Sequence, residues 1–245
     1  MTTPFTLSLA AVDVLWEDLG LGVPVYPLDV PRNGVTHDEH AAIRAAVFDD
    51  LARRGLARER RVEPRVAAAF TTMAAPDASV SAVGMAAGRE LLALAVSTRE
   101  RAVLAVQDGQ YLSIDYPRPS NLVGALLGLL PDIRRGIGQS VTISAGSGAR
   151  SEKALARSSL ERPRTAFGRL SVSGSQAVPF ELNWFDTDRG RYVCYSRSSQ
   201  GGGAWITYTP ADRRDMAHLL SEAAAGSRPG HGWAARRSSS PTAPT

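Results

Sequence analysis

Two histidines one helical turn apart form the clearest metal-ligand pattern in the sequence. His37 and His40 flank two acidic residues, and imidazole and carboxylate groups at this spacing can share a metal ion. A complete site needs further ligands, but His218 falls on a later predicted helix and His231 lies near the end of the chain. The Thr36–Glu39 stretch has the spacing of a capping box. This favours a solvated helix start and predicts no metal.

Paired acids at Asp186 and Asp188 could serve acid–base catalysis, and an unrecognised hydrolase that uses His37 or Asp186 stays open as one hypothesis. Asp and Thr are also residues that tight turns select, so Asp186–Gly190 is predicted to be a hairpin turn. A serine nucleophile would need a G-x-S-x-G elbow with a histidine available, and the sequence has no convincing one. Its isolated glycine pairs lack the spacing of a phosphate-binding loop. We therefore predict neither a catalytic residue nor a cofactor.

The composition is that of an ordinary soluble protein, with 44% hydrophobic and 21% charged residues among 245. No apolar run approaches the ~20 residues of a membrane span and the start lacks a signal peptide, so we expect a cytoplasmic protein without membrane contact. The single cysteine, Cys194, is expected to be a small buried residue within a strand. Residues 226–245 carry three arginines and no acid, which leaves +1 of the net +4 charge for the rest and argues against nucleic-acid binding.

A strand meander followed by a capped helix is predicted from Ala177 to Ala225. β-branched and aromatic residues fill two of its strands, Arg191–Ser196 and Ala204–Thr209. Thr209 is placed to cap the helix, with Pro210 as its first residue. The helix then buries one apolar face against the sheet.

The same order of elements recurs upstream. Three strands and a helix are predicted there, at Leu91–Ser97, Arg101–Val106, Tyr111–Tyr116 and about Ser120–Leu130. The turns also correspond, since Arg99–Val103 lies opposite Arg189–Val193 in this comparison. We interpret the pattern as an internal duplication within one domain, residues 1–225, whose halves are about 1–131 and 132–225.

Outside the repeats, the sequence predicts three helices near the N-terminus and several shorter elements. The helices are Leu9–Leu19, the stretch from the Thr36 cap to Gly55, and Glu63–Ala75. Further strands are predicted at Ser79–Met85, Ser140–Ser144 and Phe167–Ser173. Ser151–Leu160 is expected to be a weakly amphipathic helix or a flexible segment. Residues 226–245 contain too little apolar surface to fold and are predicted to be a disordered tail.

Three helices followed by a hairpin also fit a winged-helix DNA-binding regulator, which stays open as the alternative function. Arg58–Arg61 would supply positive charge near the third helix, but that helix itself offers only Arg65 for bases or phosphates. Weak retention on heparin at low salt would count against this alternative, because DNA binding depends on phosphate contacts.

Several strings, in the right order, resemble the EspG family. They are Val14–Gly22, Pro27-Leu28, Gly34–Glu39, Arg54–Leu56, Arg101–Gly109 and Trp184–Tyr192. Members of this family are cytosolic, substrate-specific chaperones of actinobacterial type VII (ESX) secretion. The likeness covers about residues 5–225. It implies an α/β (α+β) protein with quasi-two-fold halves, a central, mainly antiparallel β-sheet and two helical bundles.

The resemblance also implies a function without catalysis. Such a chaperone would bind the exposed apolar tip of a helical PE–PPE heterodimer, keep it soluble and deliver it to the secretion machinery. A reversible contact of about 1,600 Å² would be enough to mask that tip. The family docks its partner on the first long strand, the hairpin after it and the C-terminal bundle. Carried onto this chain, the partner-binding residues would be Ser79, Ser81, Val83, Met85, Ala87, Gly88, Arg89, Arg213 and Met216.

One departure bears on the identity of the partner. The turn at Ala87–Glu90 is short, whereas relatives can carry a longer loop that grips the substrate. The partner is therefore expected to be either a PE–PPE-like heterodimer or a shorter WXG-like helical hairpin. Val80 is expected to pack in the core and Arg89 to contact the partner. The protein itself is expected to be a monomer or a weak dimer.

Overall fold

The computed structural model describes residues 3–144, 163–198 and 204–227. Its strands are β1 (Phe5–Ser8), β2 (Ala57–Arg58), β3 (Arg61–Val62), β4 (Ala78–Ala86), β5 (Arg89–Ser97), β6 (Ala102–Asp108), β7 (Tyr111–Asp115), β8 (Val141–Ser144), β9 (Ala166–Ser173), β10 (Phe180–Thr187), β11 (Gly190–Ser198) and β12 (Ala204–Pro210). Its helices are α1 (Leu9–Asp18), α2 (His37–Arg53), α3 (Pro64–Ala74), α4 (Leu122–Leu127) and α5 (Arg213–Ala224).

Ten strands form one sheet in the order β1-β7-β6-β5-β4-β9-β10-β11-β12-β8, and β2 pairs with β3 separately. Every neighbouring pair in the large sheet is antiparallel. Outward from the centre, β4-β5-β6-β7-β1 corresponds to β9-β10-β11-β12-β8. Each half therefore contributes a central strand, a meander and an outer strand. The duplication predicted from the sequence is confirmed by this strand order.

Helices pack on both faces of the sheet. Leu94 and Val96 of β5 belong to the core shared with α1, α2 and α3, whereas Ala93 and Ala95 belong to the core shared with α4 and α5. Successive residues of a strand point to opposite faces, which explains this alternation. We call these the three-helix face and the two-helix face. On the three-helix face, α3 packs on β5 and β6 and α1 packs on β7.

The N-terminal helices begin and end close to their predicted bounds because their caps are local. Ser8 caps α1 by accepting a hydrogen bond from the Ala11 N–H at 3.2 Å. Thr36 and Glu39 form the predicted capping box of α2. Pro64 is the first residue of α3, where its missing N–H costs nothing.

The start of α5 corrects the prediction that Thr209 caps it. Strand β12 continues through Pro210, which pairs with Tyr192 across the sheet. The helix instead begins after Asp212, whose carboxylate accepts hydrogen bonds from the Arg214 and Asp215 N–H groups. Tertiary strand pairing thus overrides the local helix signal of a Thr-Pro pair.

Other segments are shorter than predicted or were not predicted. The helix expected over Ser120–Leu130 becomes a 3₁₀ turn at Pro119–Asn121 and the six residues of α4. The strand β1 and the β2–β3 hairpin were not predicted. The predictions for Ser151–Leu160 and for the tail beyond Ser227 lie outside the described residues.

The winged-helix alternative does not fit this architecture. The strands that would have formed its wing belong to the middle of the ten-stranded sheet. Among the described residues, no helix is both long and apolar enough to cross a membrane.

Candidate functional site

Three tight turns gather at one end of the sheet. The register joins Ala86 to Arg89 and Asp108 to Tyr111, and it places the β10–β11 turn after Thr187 at the same end. The start of α5 follows the end of β12 there, since β12 is antiparallel to β11. We call this region the hairpin end. It brings together segments that are far apart in the sequence.

An exposed apolar patch lies on the three-helix face at this end. Met85 of β4 and Phe167 of β9 are direct partners across the centre of the sheet, and 36% and 45% of their surfaces are exposed. Val83 and Leu92, also direct partners, are half-buried beside them. We call these four residues the central patch. Large apolar side chains placed side by side in water are typical of a protein-binding surface.

Charged residues lie beside the central patch and at the turn next to it. Arg169 is the partner of Val83 across β4 and β9, and its guanidinium lies 3.9 Å from a carboxylate oxygen of Glu181. At the β4–β5 turn, on the two-helix face of the sheet, Arg89 donates a hydrogen bond to the Asp108 carboxylate. Both pairs are largely exposed and contribute little to stability. An apolar centre with a charged rim is the usual anatomy of a protein interface.

The predicted contacts on β4 share one face, but they differ in accessibility. Ser79 and Ser81 are buried, whereas Val83 is half-buried and Met85 is exposed. Val80 points to the opposite face and is fully buried, which confirms its predicted place in the core. The turn residues Ala87, Gly88 and Arg89 are all exposed.

Arg213 lies on the other face of the sheet from the central patch. It borders an open groove of about 800 Å³ between α4, α5 and the segment that follows α4. Its guanidinium donates a hydrogen bond of 2.9 Å to the Leu130 carbonyl. The sheet therefore divides the predicted residues, and a partner would have to reach around the hairpin end to contact both groups.

Met216 does not fit the prediction of a partner contact. Its side chain is fully buried, and its sulfur lies 3.9 Å from the guanidinium of Arg191. Helix α5 turns this residue toward the sheet, where the apolar stripe of an amphipathic helix belongs. Met216 is thus a core residue, although its helix borders the groove.

The carboxylate of Asp215, near this groove, is buried, which disfavours its charged form. Burial raises the pKa of Asp215, whereas the hydrogen bond from the Asp212 N–H and the charge of Arg135 both act to lower it. Arg135 donates a hydrogen bond to the Asp215 carboxylate, and the Asp212 N–H donates another at 3.0 Å. These contacts fix the segment after α4 against the start of α5.

Asp186, the candidate catalytic acid, forms a buried ion pair with Arg191. The two side chains are at most 1% exposed, and two hydrogen bonds of 2.6 and 2.8 Å join them. Arg191 also donates to the Pro131 carbonyl at 2.9 Å and stacks over Trp184, with 5.5 Å to the ring centroid. The Asp186 carboxylate is thus buried and occupied by Arg191, and removing either partner would leave a buried charge at a cost of about 3–5 kcal/mol.

The two histidines His37 and His40 are not part of a metal-binding cluster in the described part of the chain. The Nε2 atom of His40 lies 3.0 Å from the Glu17 carboxylate, which links α2 to α1. His37 is exposed at the start of α2, in the other half of the molecule from Asp186. No group of three or more histidine, cysteine or acidic residues in the described part of the chain is arranged to hold a metal.

A sequence model of the EspG family matches residues 8–222. The chain belongs to the EspG family. Its fold is also that of a solved structure, the type VII secretion chaperone EspG5 of Mycobacterium tuberculosis in complex with a PE25–PPE41 dimer. That match has a TM-score of 0.64 and 15% sequence identity, and it covers 94% of this chain and 99% of EspG5. No curated protein matches the sequence.

Two residues of the central patch were missed by sequence reasoning. Phe167 opened a predicted strand, but nothing local indicated that β9 pairs with β4. The strand that contains Leu92 was predicted, but the sequence did not indicate on which face of the sheet Leu92 lies. One signal could have revealed the position of Phe167. If the duplication is extended to the strand before each meander, β4 and β9 become equivalent strands that pair at the centre of the sheet.

Proposed function

We propose that this EspG-family protein is a type VII secretion chaperone that binds a helical PE–PPE-type heterodimer, keeps it soluble and delivers it for secretion. The observation that carries the proposal is the EspG5 fold over 94% of the chain, because EspG5 was solved in complex with such a heterodimer. Family membership over residues 8–222 supports the same role. Binding and release need no catalytic residue or cofactor. The chaperone would act in the cytosol, before its substrate is exported.

The hairpin end is the proposed docking surface. The central patch would cover the apolar tip of the substrate, and the charged rim would orient it. The exposed turn at Ala87, Gly88 and Arg89 follows the central patch on β4, and the start of α5, with Arg213, lies at the same end of the sheet. Met85 and Phe167 are the proposed centre, since they are the most exposed members of the patch.

Residues 1–225 are proposed to act as one domain with halves at about 1–131 and 132–225. The continuous sheet across β4 and β9 supports this, because the central patch contains residues of both strands. Neither half alone would carry the complete docking surface. Residues 226–245 are proposed to be a separate tail.

The test is co-expression with candidate PE–PPE-like or WXG-like pairs, followed by purification through a tag on the substrate. The wild-type chain is expected to keep its substrate soluble and to co-purify with it. Phe167→Glu should reduce the recovered complex at least about tenfold, because it places a charge in the apolar centre of the contact. Arg89→Glu should weaken the complex less, since Arg89 lies in the rim.

Trp205→Glu is the matched control. Trp205 is 42% exposed, but it lies on β12, three strands away from β9, and on the opposite face from the central patch. The control should co-purify like the wild type. Failure of every candidate pair to co-purify with the wild type would contradict the proposed function. Equal recovery with Phe167→Glu would instead show that the docking surface lies elsewhere.

A further inference from the structure

The β2–β3 hairpin, residues 57–62, carries three arginines and one glutamate, a net charge of +2, whereas residues 1–225 together carry only +1. The two arginines before it, Arg53 and Arg54, are already paired with Asp50 of α2. Arg58 and Arg61 are direct partners across the two short strands. The hairpin is anchored by its apolar pair, Ala57 and Val62, which pack against the core of the three-helix face.

Two features of this hairpin work against its own stability. Glu59 and Arg60 form the turn with φ values of 51° and 57°, a region that favours glycine or asparagine. Like charges directly across a strand pair, as at Arg58 and Arg61, repel each other. A sequence that breaks two local rules in one exposed hairpin indicates a role other than folding.

Contacts within the protein do not compensate for these features. The guanidinium of Arg58 is 3.9 Å from the carboxylate of its neighbour Glu59, and both side chains are more than 80% exposed. Within the described ranges, the side chains of Arg60 and Arg61 make no hydrogen bond or ion pair, and both residues are exposed. Their charge is therefore available to a partner.

The β2–β3 hairpin lies away from the central patch of the proposed docking surface. Arg54, just before it, donates a hydrogen bond to the Thr6 carbonyl of the outer strand β1, and the Arg65 carbonyl, just after it, accepts one from Tyr116 at 3.1 Å. Strand β1 is four strands from β4, a distance of about 19 Å at the usual strand spacing. A chaperone with its substrate on the central patch would leave the hairpin free.

We infer that the β2–β3 hairpin is a second docking site, for an acidic segment of a partner protein. Arginine presents a planar fork that matches carboxylates, and the side chains of two arginines on one face of a hairpin can bind two carboxylates of one peptide. The partner's negative charge would also remove the repulsion between Arg58 and Arg61. A nucleic acid fits less well, since DNA binding needs many phosphate contacts along an extended surface and this site offers few.

The test uses the full-length protein and a fluorescein-labelled, glutamate-rich peptide, with binding followed by fluorescence anisotropy at increasing salt. The wild type should bind, and salt should weaken the binding. The double variant Arg58→Thr with Arg61→Thr should bind at least about tenfold more weakly, because it lacks two charge-assisted contacts. The same variant should unfold at a higher temperature than the wild type, since the like-charge pair is gone.

A second double variant, Arg99→Thr with Arg101→Thr, removes the same charge from another exposed turn and should bind the peptide like the wild type. Equal weakening in both variants would overturn the proposal, as would comparable wild-type affinity for duplex DNA or for anionic phospholipid vesicles. A hairpin variant that is less stable than the wild type would overturn the argument from repulsion. Co-purification of the secretion substrate should be unchanged in both variants, so this test is independent of the proposed function.

Discussion

At the scale of single residues, Ala87 occupies a backbone position that alanine rarely adopts. With φ values of 51° at Ala87 and 74° at Gly88, the β4–β5 turn has the left-handed conformation of a two-residue hairpin. Ala87→Asn should raise the free energy of unfolding by about 1 kcal/mol, because asparagine tolerates this region. The melting temperature should rise by about 2–4 °C for a chain of this size.

A matched variant, Ala87→Val, should lower stability, since a β-branched side chain is strained at positive φ. Because asparagine preserves the backbone, the Asn variant should still co-purify with the substrate. A melting temperature for Ala87→Asn at or below the wild-type value would contradict this account of the turn.

Residues of the candidate site could be predicted only where the resemblance to the EspG family assigned a contact to a particular position. It pointed to Met85 and Arg213, which the structure places at accessible positions. It also pointed to Met216, but a helix buries one stripe of its residues and the pattern alone did not exclude this one. Phe167 was missed because its position beside Met85 depends on a pairing between strands that are distant in sequence.

At the scale of elements, helices were predicted more closely than strand pairing. The start of α2 depends on Thr36 and Glu39, three residues apart, and such local contacts can be read from a sequence. Strand β1 has four residues and β2 only two, too short for a period-two pattern to be recognised. The end of β12 and the start of α5 depend on pairing with β11, which is a tertiary contact.

The capping box of α2 gives a prediction that depends on pH. The Glu39 carboxylate accepts hydrogen bonds from the Val35 and Thr36 N–H groups at 2.9 and 3.1 Å, and these bonds lower its pKa. A lowered pKa means that the ionised form stabilises the fold above the ordinary glutamate pKa of about 4.3. That contribution is lost as the pH falls through the lower pKa of the folded state.

Glu39→Gln keeps the reciprocal hydrogen bond but removes the charge, so it should be less stable than the wild type at neutral pH. The difference should vanish in acid, at the lowest pH where both proteins fold. Urea unfolding midpoints measured across this range provide the test. Glu100→Gln, at an exposed turn, should show no such trend. A Glu39→Gln deficit that is constant with pH would show that the charge is not responsible.

At the scale of the whole molecule, the two halves meet through two glycines. Gly84 of β4 and Gly168 of β9 are direct partners at the centre of the sheet. A Cβ atom on Gly84 would lie 2.2 Å from the Phe167 carbonyl oxygen, and one on Gly168 would lie 2.4 Å from that of Val83. The backbones approach so closely that only glycine fits at either position. The junction that joins the halves thus also places Met85 beside Phe167.

Gly84→Ala should therefore lower the free energy of unfolding by about 3 kcal/mol, because the backbones of β4 and β9 must separate to admit a methyl group. Gly128→Ala is the control, since Gly128 has an ordinary helical φ of −61° and the added carbon would lie 3.2 Å from the Ala125 carbonyl oxygen, a contact that needs a shift of only a few tenths of an ångström. Urea unfolding followed by far-UV circular dichroism and by tryptophan fluorescence gives the test. If residues 1–225 are one domain, both probes should report a single coincident transition in every variant. Two separate transitions in the wild type would show that the halves fold independently, and the continuous sheet would then not act as one cooperative unit.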